Sequence, residues 1–306
     1  MAWSKEQVRL MGTVIDMMIE HEEPTILLNN CVKKLRSYEK RFSANSQTSE
    51  LMAVNLQAGQ KNIKVHSDLF ELIKLGKEHS LPIESYLNIA IGPLTQAWHI
   101  GFEDARVPSQ TEIASLLKTI DPKRIHLNEL DKSVFLEKGS SIDLGALAKG
   151  YIADLMVADL KRKQVTSGII NLGGNVLVFG NPPNENQDEW YIEVQVPEQA
   201  QSKEPFLLKV RDKSVVTSGV YERVLTKDGQ IYHHIINPNT GYPVETDVLS
   251  LTILSDKSVE GEIWTTRLFG KKAEEMIKEI NHTKGIEGIV ITKTMSYLSA
   301  GIKKYL

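Results

Sequence analysis

The sequence lacks several features that would point away from an ordinary globular protein. It has a single cysteine, Cys31, which excludes an internal disulfide and a multi-cysteine metal site. It has no run of 18 apolar residues, so no transmembrane helix is expected. Its 36 basic and 39 acidic residues give a net charge of −3, too small for a general attraction to nucleic acid. We therefore expect a globular chain that neither inserts into a membrane nor binds nucleic acid.

The N-terminal stretch MAWSKEQVRLMGTVIDMMIE has no apolar core segment and no small-residue cleavage site of a secretory leader. We expect a cytoplasmic location, although a chain whose leader had been removed would look the same. The centre of this stretch has the alternation of a strand. The chain has 306 residues and shows no repeat, low-complexity segment or long linker. We expect one compact domain over residues 1–306, with a helical N-terminal lobe.

The order of the secondary-structure patterns predicts an α+β fold. Apolar residues recur at helical spacing over 25–40, and 68–81 has the pattern of an amphipathic helix. From about residue 124 short strand patterns follow one another, interrupted by helices predicted over 145–162 and about 259–280. Runs of strands with separate helices are typical of α+β folds rather than of repeated βαβ units.

The stretch SSIDLGALAKGYIAD, residues 140–154, predicts an anion site at the start of a helix. Gly150 inside a helix costs about 1 kcal/mol relative to alanine, so close packing or a close ligand must offset it. Lys149 together with the free N–H groups of a helix start would bind a phosphate. Asp143 is an N-cap type of residue that could also bind a hydroxyl or amine of the ligand, and Gly145 would allow close approach. The sequence therefore indicates a phosphate-bearing cofactor.

Two further stretches carry polar residues that a strand does not need. NLGGNV, residues 171–176, interrupts an apolar strand with Asn and Gly, which indicates either a bulge or a backbone surface against a ligand. Thr217 and Ser218 end another strand, where their hydroxyls could bind phosphate or ribose or could simply form a turn.

Glu262 and Thr266 are spaced i and i+4, so they lie on one face of a predicted helix. A carboxylate and a hydroxyl in this arrangement could share a hard cation such as Mg²⁺. The alternative is an acidic residue in the first turn of a helix with no ligand. The stretch YHHIINPNTGYPV, residues 232–244, adds two histidines to a series of turns that does not require them.

Taken in order, these stretches resemble the ApbE family of FAD:protein FMN transferases. The resemblance covers the chain from about residue 10 to 300, and the motifs that carry it are LMGT, SELMAVN, IGPLTQAW, IDLGALAKGYIAD, INLGGNV, VVTSGVYER and HIINPNTGYPV. No single motif identifies the family, but the seven motifs in this order are specific for it. The resemblance implies a mixed α+β domain related to the T-fold.

The resemblance also implies a reaction. FMN would pass from FAD to a Thr or Ser hydroxyl of a target flavoprotein through a phosphoester bond, with release of AMP, and Mg²⁺ would be required. The implied metal ligands are the Ala146 carbonyl, Glu262 and Thr266, and His234 would act as a base on the acceptor hydroxyl or hold it in position. The expected FAD contacts, including the two strand-end hydroxyls, are Met11, Tyr86, Leu87, Asn88, Asp143, Lys149, Thr217, Ser218 and Ile236.

The sequence departs from the family pattern at the site. Asn88, Asn237 and Glu262 stand where the family usually has aspartate, and Asn45 replaces a usual aromatic residue. Two other functions therefore stay open beside the transferase: a Mg²⁺-dependent pyrophosphatase that hydrolyses FAD to FMN and AMP, and a catalytically silent FAD-binding protein. The identity of the acceptor and the oligomeric state are not predicted.

Overall fold

The computed structural model describes residues 1–184, 186–201 and 203–306. The strands are β1 (Ala2–Leu10), β2 (Thr13–His21), β3 (Ile63–Lys64), β4 (Ile125–Asn128), β5 (Ser133–Leu136), β6 (Ser167–Leu172), β7 (Asn175–Phe179), β8 (Trp190–Val194), β9 (Phe206–Val210), β10 (Ser214–Gly219), β11 (Val224–Lys227), β12 (Gln230–His233), β13 (Val248–Ser255), β14 (Glu287–Thr292) and β15 (Ser296–Leu298). The α-helices are α1 (Pro24–Phe42), α2 (Glu50–Leu56), α3 (Ser67–Ser80), α4 (Gly92–Trp98), α5 (Gln110–Leu116), α6 (Ala148–Arg162), α7 (Ser258–Leu268) and α8 (Ala273–His282). Short 3₁₀ helices cover Leu117–Thr119, Pro122–Arg124 and Ile302–Tyr305.

An eight-stranded antiparallel sheet forms the centre of the fold. Its strand order is β1-β2-β6-β7-β10-β13-β14-β15, and every neighbouring pair runs antiparallel. The remaining strands form three small sheets, β3-β5-β4, β8-β9 and β11-β12. Every pair of neighbouring strands in the described residues runs antiparallel, as expected for an α+β fold rather than for repeated βαβ units.

Both faces of the central sheet are covered. Helices α1, α6, α7 and α8 pack against one face, and apolar residues of the β8–β9 hairpin cover the other. Strand β13 shows the effect, because all of its residues are buried and its apolar side chains alternate between the two layers. Its polar residues, Ser250, Thr252 and Ser255, are as buried as its apolar ones, because both faces of the strand are covered.

Helices α1 and α3 share their core with the central sheet. Leu28 and Leu35 of α1, and Leu69 of α3, belong to the same buried cluster as Ile15 of β2 and Ile170 of β6. This shared core supports the expectation of one domain over residues 1–306, which stays a prediction. In the described part of the chain, no helix combines the length and the apolar character needed to cross a membrane.

The structure refines several predictions made from the sequence. The N-terminal strand pattern is a hairpin, β1–β2, that turns at Met11 and Gly12, both with positive φ. The helix predicted over 25–40 is confirmed as α1, and the prediction over 145–162 began early, because α6 starts at Ala148. The single helix predicted over 259–280 is wrong: α7 and α8 are separated near Gly270, where the Tyr86 ring occupies the space that a Cβ would need.

Candidate active site

One cavity brings together the residues that the sequence motifs single out. It lies beside one end of β7 and β10, the first turn of α6, the inner face of α7 and the loops before α4 and after β12. All predicted site residues except Met11 line it, namely Tyr86, Leu87, Asn88, Asp143, Ala146, Lys149, Thr217, Ser218, His234, Ile236, Glu262 and Thr266. Stretches that are far apart in the sequence therefore meet in one place.

Met11 lies outside this group. It occupies the β1–β2 turn, and its backbone N–H donates to Oε1 of Glu39 over 2.7 Å. The turn still lies near the cavity, because a Cβ on Gly12 would be 3.7 Å from Nη2 of Arg223, which lines the cavity. The expected contact of Met11 with FAD stays a prediction.

Glu262 is the most deeply buried carboxylate of the site, with a 4% exposed surface. Its Oε1 accepts a short hydrogen bond from Nδ2 of Asn175 and lies 3.9 Å from Nζ of Lys149. Its Oε2 is buried and has no hydrogen-bond partner among the described residues. Burial raises the pKa of Glu262, and Lys149 and Asn175 oppose the rise because they stabilise the ionised form.

Helix α6 fixes the start of α7. A Cβ on Gly150 would lie 2.5 Å from the carbonyl oxygen of Ser258, so the glycine allows the two helices to touch. The Asp154 carboxylate accepts the backbone N–H groups of Ser258 over 2.8 Å and of Val259 over 3.0 Å. The group that approaches Gly150 closely is therefore the backbone of α7 and not a ligand. Lys149 and Glu262, one from each helix, line the cavity.

Asp143 is held by the protein, but it is not the N-cap residue that the sequence suggested. Its Oδ1 accepts the backbone N–H of Gly145 over 2.7 Å, and its Oδ2 accepts the Thr95 hydroxyl over 2.8 Å. Helix α6 begins five residues later, at Ala148, with Leu147 at its N-cap position and no side-chain cap. The carboxylate is thus oriented at the cavity wall by the loop that precedes the helix.

The two histidines have different environments. Nδ1 of His233 accepts the backbone N–H of Ile235, and its Nε2 contacts the Val244 carbonyl over 2.8 Å, so both ring nitrogens hold the turn. Nδ1 of His234 lies 3.4 Å from the Arg223 carbonyl, which leaves Nε2 without a protein partner in the described residues. Burial, and next the charge of Arg223, lower the pKa of His234 to about 4, so its imidazole is neutral at pH 7.

Several cavity residues were not predicted. Asn175 was noted only as an interruption of a strand, yet it is the hydrogen-bond partner of Glu262. Arg223 and Glu222 also line the cavity, as does Phe102, whose ring stacks on His99 with centroids 4.0 Å apart. An asparagine inside an apolar strand was a usable signal for Asn175, whereas nothing in the local sequence distinguishes Phe102 from a core residue.

NLGGNV forms a tight turn and not a bulge, and its expected backbone contact with a ligand stays a prediction. Gly173 and Gly174 have φ values of +61° and +93° and make the two-residue turn between β6 and β7. Such tight turns require positive φ, which glycine adopts without strain. Only Asn175 of this stretch lines the cavity.

The cavity thus combines a lysine in the first turn of a helix, a buried carboxylate with an oxygen that has no partner among the described residues, and a neutral histidine. The family model named ApbE matches residues 11–290, and the chain belongs to the ApbE family. This confirms the resemblance found in the sequence.

Two relatives are named FAD:protein FMN transferase. The protein from Klebsiella pneumoniae is 37% identical over 286 residues, which cover 93% of this chain and 87% of the relative. The protein from Treponema pallidum is 30% identical over 298 residues, which cover 92% of this chain and 82% of the relative. The similarity therefore extends over nearly the whole of both relatives.

Solved structures confirm the fold prediction. The ApbE protein of Thermotoga maritima superposes with a TM-score of 0.89 at 22% identity, covering 99% of each chain. The flavin transferase ApbE of Vibrio cholerae gives a TM-score of 0.87 at 22% identity, covering 100% of this chain and 99% of the other.

Proposed function

We propose that this protein transfers FMN from FAD to a Thr or Ser hydroxyl of an acceptor flavoprotein and releases AMP. The observation that carries the proposal is the convergence of the motif residues on one cavity lined by cationic, carboxylate and apolar side chains. Relatives named FAD:protein FMN transferase over most of their length support it.

The residues present fit Mg²⁺. The Oε2 atom of Glu262 is buried without a partner, which is a costly arrangement unless a cation or ligand completes it. The Ala146 carbonyl and the Thr266 hydroxyl would add oxygen donors from the same cavity, and Mg²⁺ prefers oxygen ligands. The described residues contain no group of three or more His, Cys, Asp or Glu side chains that could hold a metal. This agrees with Mg²⁺ bound through one carboxylate and completed by substrate phosphates and water.

When bound, Mg²⁺ would neutralise charge on the FAD diphosphate. Lys149 would contact the same phosphates, since it lies in the first turn of α6 and faces the cavity. The hydroxyls of Thr217 and Ser218, at the end of β10, would donate hydrogen bonds to a phosphate or the ribose of FAD. Leu87 and Ile236, both buried apolar residues of the cavity lining, would pack against a ring of the substrate.

His234 would act on the acceptor. Its neutral imidazole can receive the hydroxyl proton at Nε2, while the Arg223 carbonyl holds the Nδ1 side. The acceptor oxygen forms a bond to the FMN phosphorus, and the bond from that phosphorus to the bridging oxygen breaks. The bridging oxygen leaves with AMP and keeps the electron pair.

The test is an incubation of the purified protein with FAD and Mg²⁺, with and without an acceptor domain that carries a candidate Thr. Mass spectrometry of the acceptor should show an added FMN, and EDTA should prevent it. Glu262→Gln and Thr266→Ala should abolish the addition. Glu275→Gln, at an exposed site in the first turn of α8, is the matched control and should leave it unchanged.

Other outcomes would identify the alternatives. Steady AMP release without an acceptor would favour the pyrophosphatase. FAD that binds but stays intact with Mg²⁺ and a competent acceptor would mean a silent binding protein. Unchanged transfer in both Glu262→Gln and Thr266→Ala would contradict the metal assignment. The acceptor motif and the cytoplasmic location stay predictions.

A further inference from the structure

Arg223 lies at the cavity between two turns that contain glycine. A Cβ on Gly101 would be 2.9 Å from Cδ of Arg223, so the chain after α4 rests directly on the arginine stem. The guanidinium lies next to Gly12 in the β1–β2 turn. Both glycines have positive φ, at +96° and +71°. Arg223 is an exposed residue whose stem lies against the Gly101 turn and whose guanidinium lies near the Gly12 turn, at the edge of the cavity.

The guanidinium of Arg223 forms no ion pair within the part of the chain that the structure describes. No carboxylate oxygen among the described residues lies within 4 Å of its guanidinium, and its side chain makes no hydrogen bond to them. Lys149, the other cation that lines the cavity, already lies 3.9 Å from Glu262. Of the two cations that line the cavity, Arg223 is therefore the one without an ion pair among the described residues.

The field of Arg223 reaches the groups at the centre of the cavity. After burial, its charge is the next largest cause of the low pKa of His234. Burial raises the pKa of Glu222, and the charges of Lys149 and Arg223 oppose that rise. A guanidinium also presents its N–H groups in a planar fork that matches two oxygens of a phosphate.

We propose that Arg223 binds a phosphate of the FAD diphosphate and stabilises the charge that develops there during FMN transfer. The inference rests on the proposed transfer reaction. As the bond to the bridging oxygen breaks, negative charge grows on the leaving phosphate of AMP, while the transferred phosphoryl group bonds to the acceptor oxygen. Preorganised cations at such positions are a common source of rate acceleration.

The same residue has a second, separable role through its backbone. The Arg223 carbonyl lies 3.4 Å from Nδ1 of His234 and accepts the backbone N–H of His234 over 3.2 Å. A substitution at position 223 keeps this carbonyl. Side-chain variants therefore test phosphate binding without removing the group that orients His234.

The experiment compares wild type, Arg223→Ala and Arg223→Lys. Arg36→Ala is the matched control, since Arg36 is an exposed arginine on α1. Binding of AMP and of FMN is measured separately by calorimetry, without turnover. We expect Arg223→Ala to weaken one of the two ligands at least tenfold, Arg223→Lys to weaken it less, and Arg36→Ala to change neither. Loss of AMP affinity assigns Arg223 to the leaving phosphate, and loss of FMN affinity assigns it to the transferred phosphate.

Transfer kinetics complete the test. Arg223→Ala should lower kcat/KM for FAD at least tenfold and leave the melting temperature unchanged. AMP and FMN affinities both within twofold of wild type would overturn the proposal. So would an effect confined to the KM of the acceptor, because Arg223 would then bind the acceptor protein. If the wild type transfers no FMN at all, the proposed function fails, while the two affinities still decide whether Arg223 binds phosphate.

Discussion

Gly150 and Asp154 lie one helical turn apart on α6, and each contacts the first turn of α7. Helix α7 has no side-chain cap of its own, so Asp154 supplies acceptors for its first backbone N–H groups. Glu262 and Thr266 follow on the same helix. The position of the expected metal ligands is therefore set by α6, the helix that also carries Lys149.

Replacing the cap should destabilise the protein. Asp154→Ala removes two hydrogen bonds to a buried helix start and should reduce the free energy of unfolding by about 2–3 kcal/mol. Ser109→Ala is the control, because Ser109 caps the short helix α5 with one hydrogen bond from Glu112 and should cost about 1 kcal/mol. Urea denaturation of both variants measures the difference. An equal loss in the two variants would contradict the role given to Asp154.

Gly150→Ala tests the contact between the helices. Alanine has a higher helix propensity by about 1 kcal/mol, so a loosely packed site would gain stability. Because the new Cβ would lie 2.5 Å from the Ser258 carbonyl oxygen, we expect a net loss of about 1–3 kcal/mol instead, with slower FMN transfer. A variant that is more stable than the wild type in urea would show that α7 can move away freely.

Asn175→Ala should weaken metal binding. The substitution removes the hydrogen bond to Oε1 of Glu262, which favours the ionised carboxylate, and the pKa of Glu262 should rise further. Loss of a residue that orients a metal ligand commonly costs about 10- to 100-fold in affinity. We expect the Mg²⁺ concentration for half-maximal transfer to rise about tenfold. Asn62→Ala, at an exposed position, should leave it unchanged, and an unchanged Mg²⁺ requirement in Asn175→Ala would separate Asn175 from the metal site.

His234 should make stability fall on acidification. Its folded pKa of about 4 lies below the ordinary value of 6.5, so the unfolded chain binds the proton first. The contribution of His234 to the free energy of unfolding is complete above pH 6.5. It is lost between about pH 6.5 and 4 and amounts to at most about 3 kcal/mol. Asp154 has the opposite effect on stability, because burial raises its pKa to about 6. Its contribution to the free energy of unfolding grows as the pH falls from 6 to 3.8.

A comparison of variants separates these two groups. His234→Gln should lose less stability than the wild type between pH 7 and pH 5 in denaturant titrations, because Asp154 is present in both proteins. Parallel loss in the two proteins would mean that His234 is protonated normally in the folded state.

The sequence was sufficient to predict which residues line the cavity, but not which of them contact one another. The motifs predicted the cavity residues because each motif is local, whereas the Asn175–Glu262 hydrogen bond joins positions 87 residues apart. Gly150 required a close neighbour, but local sequence could not choose between a ligand and a helix. The break at Gly270 depends on Tyr86, a residue from a distant loop.

One missed element did have a signal. The β11–β12 hairpin turns at Asp228 and Gly229, which both have positive φ, as an Asp-Gly turn between strands predicts. Its strands are short and largely exposed, so their residues lack the apolar alternation that revealed the longer strands.

Two of the departures from the family pattern have a structural use. Nδ2 of Asn88 donates to the Ile120 carbonyl, and its Oδ1 accepts the backbone N–H of Ala90. Oδ1 of Asn237 accepts the backbone N–H of Asn239. At both positions the asparagine stabilises a loop through hydrogen bonds to the backbone. Glu262, the third position where the family usually has aspartate, is the one of the three that is a proposed metal ligand.

The cavity takes its residues from Asn45 to Phe269, and the helices, strands and loops that carry them come together only in the folded chain. A ligand that fills it can bind only the folded chain, so its binding energy adds to the stability of the whole protein. At a free FAD concentration 100 times its dissociation constant, the folded state gains about 2.7 kcal/mol. We expect flavin supply to govern how long this protein survives proteolysis, so that cells short of FAD would lose the enzyme along with its substrate.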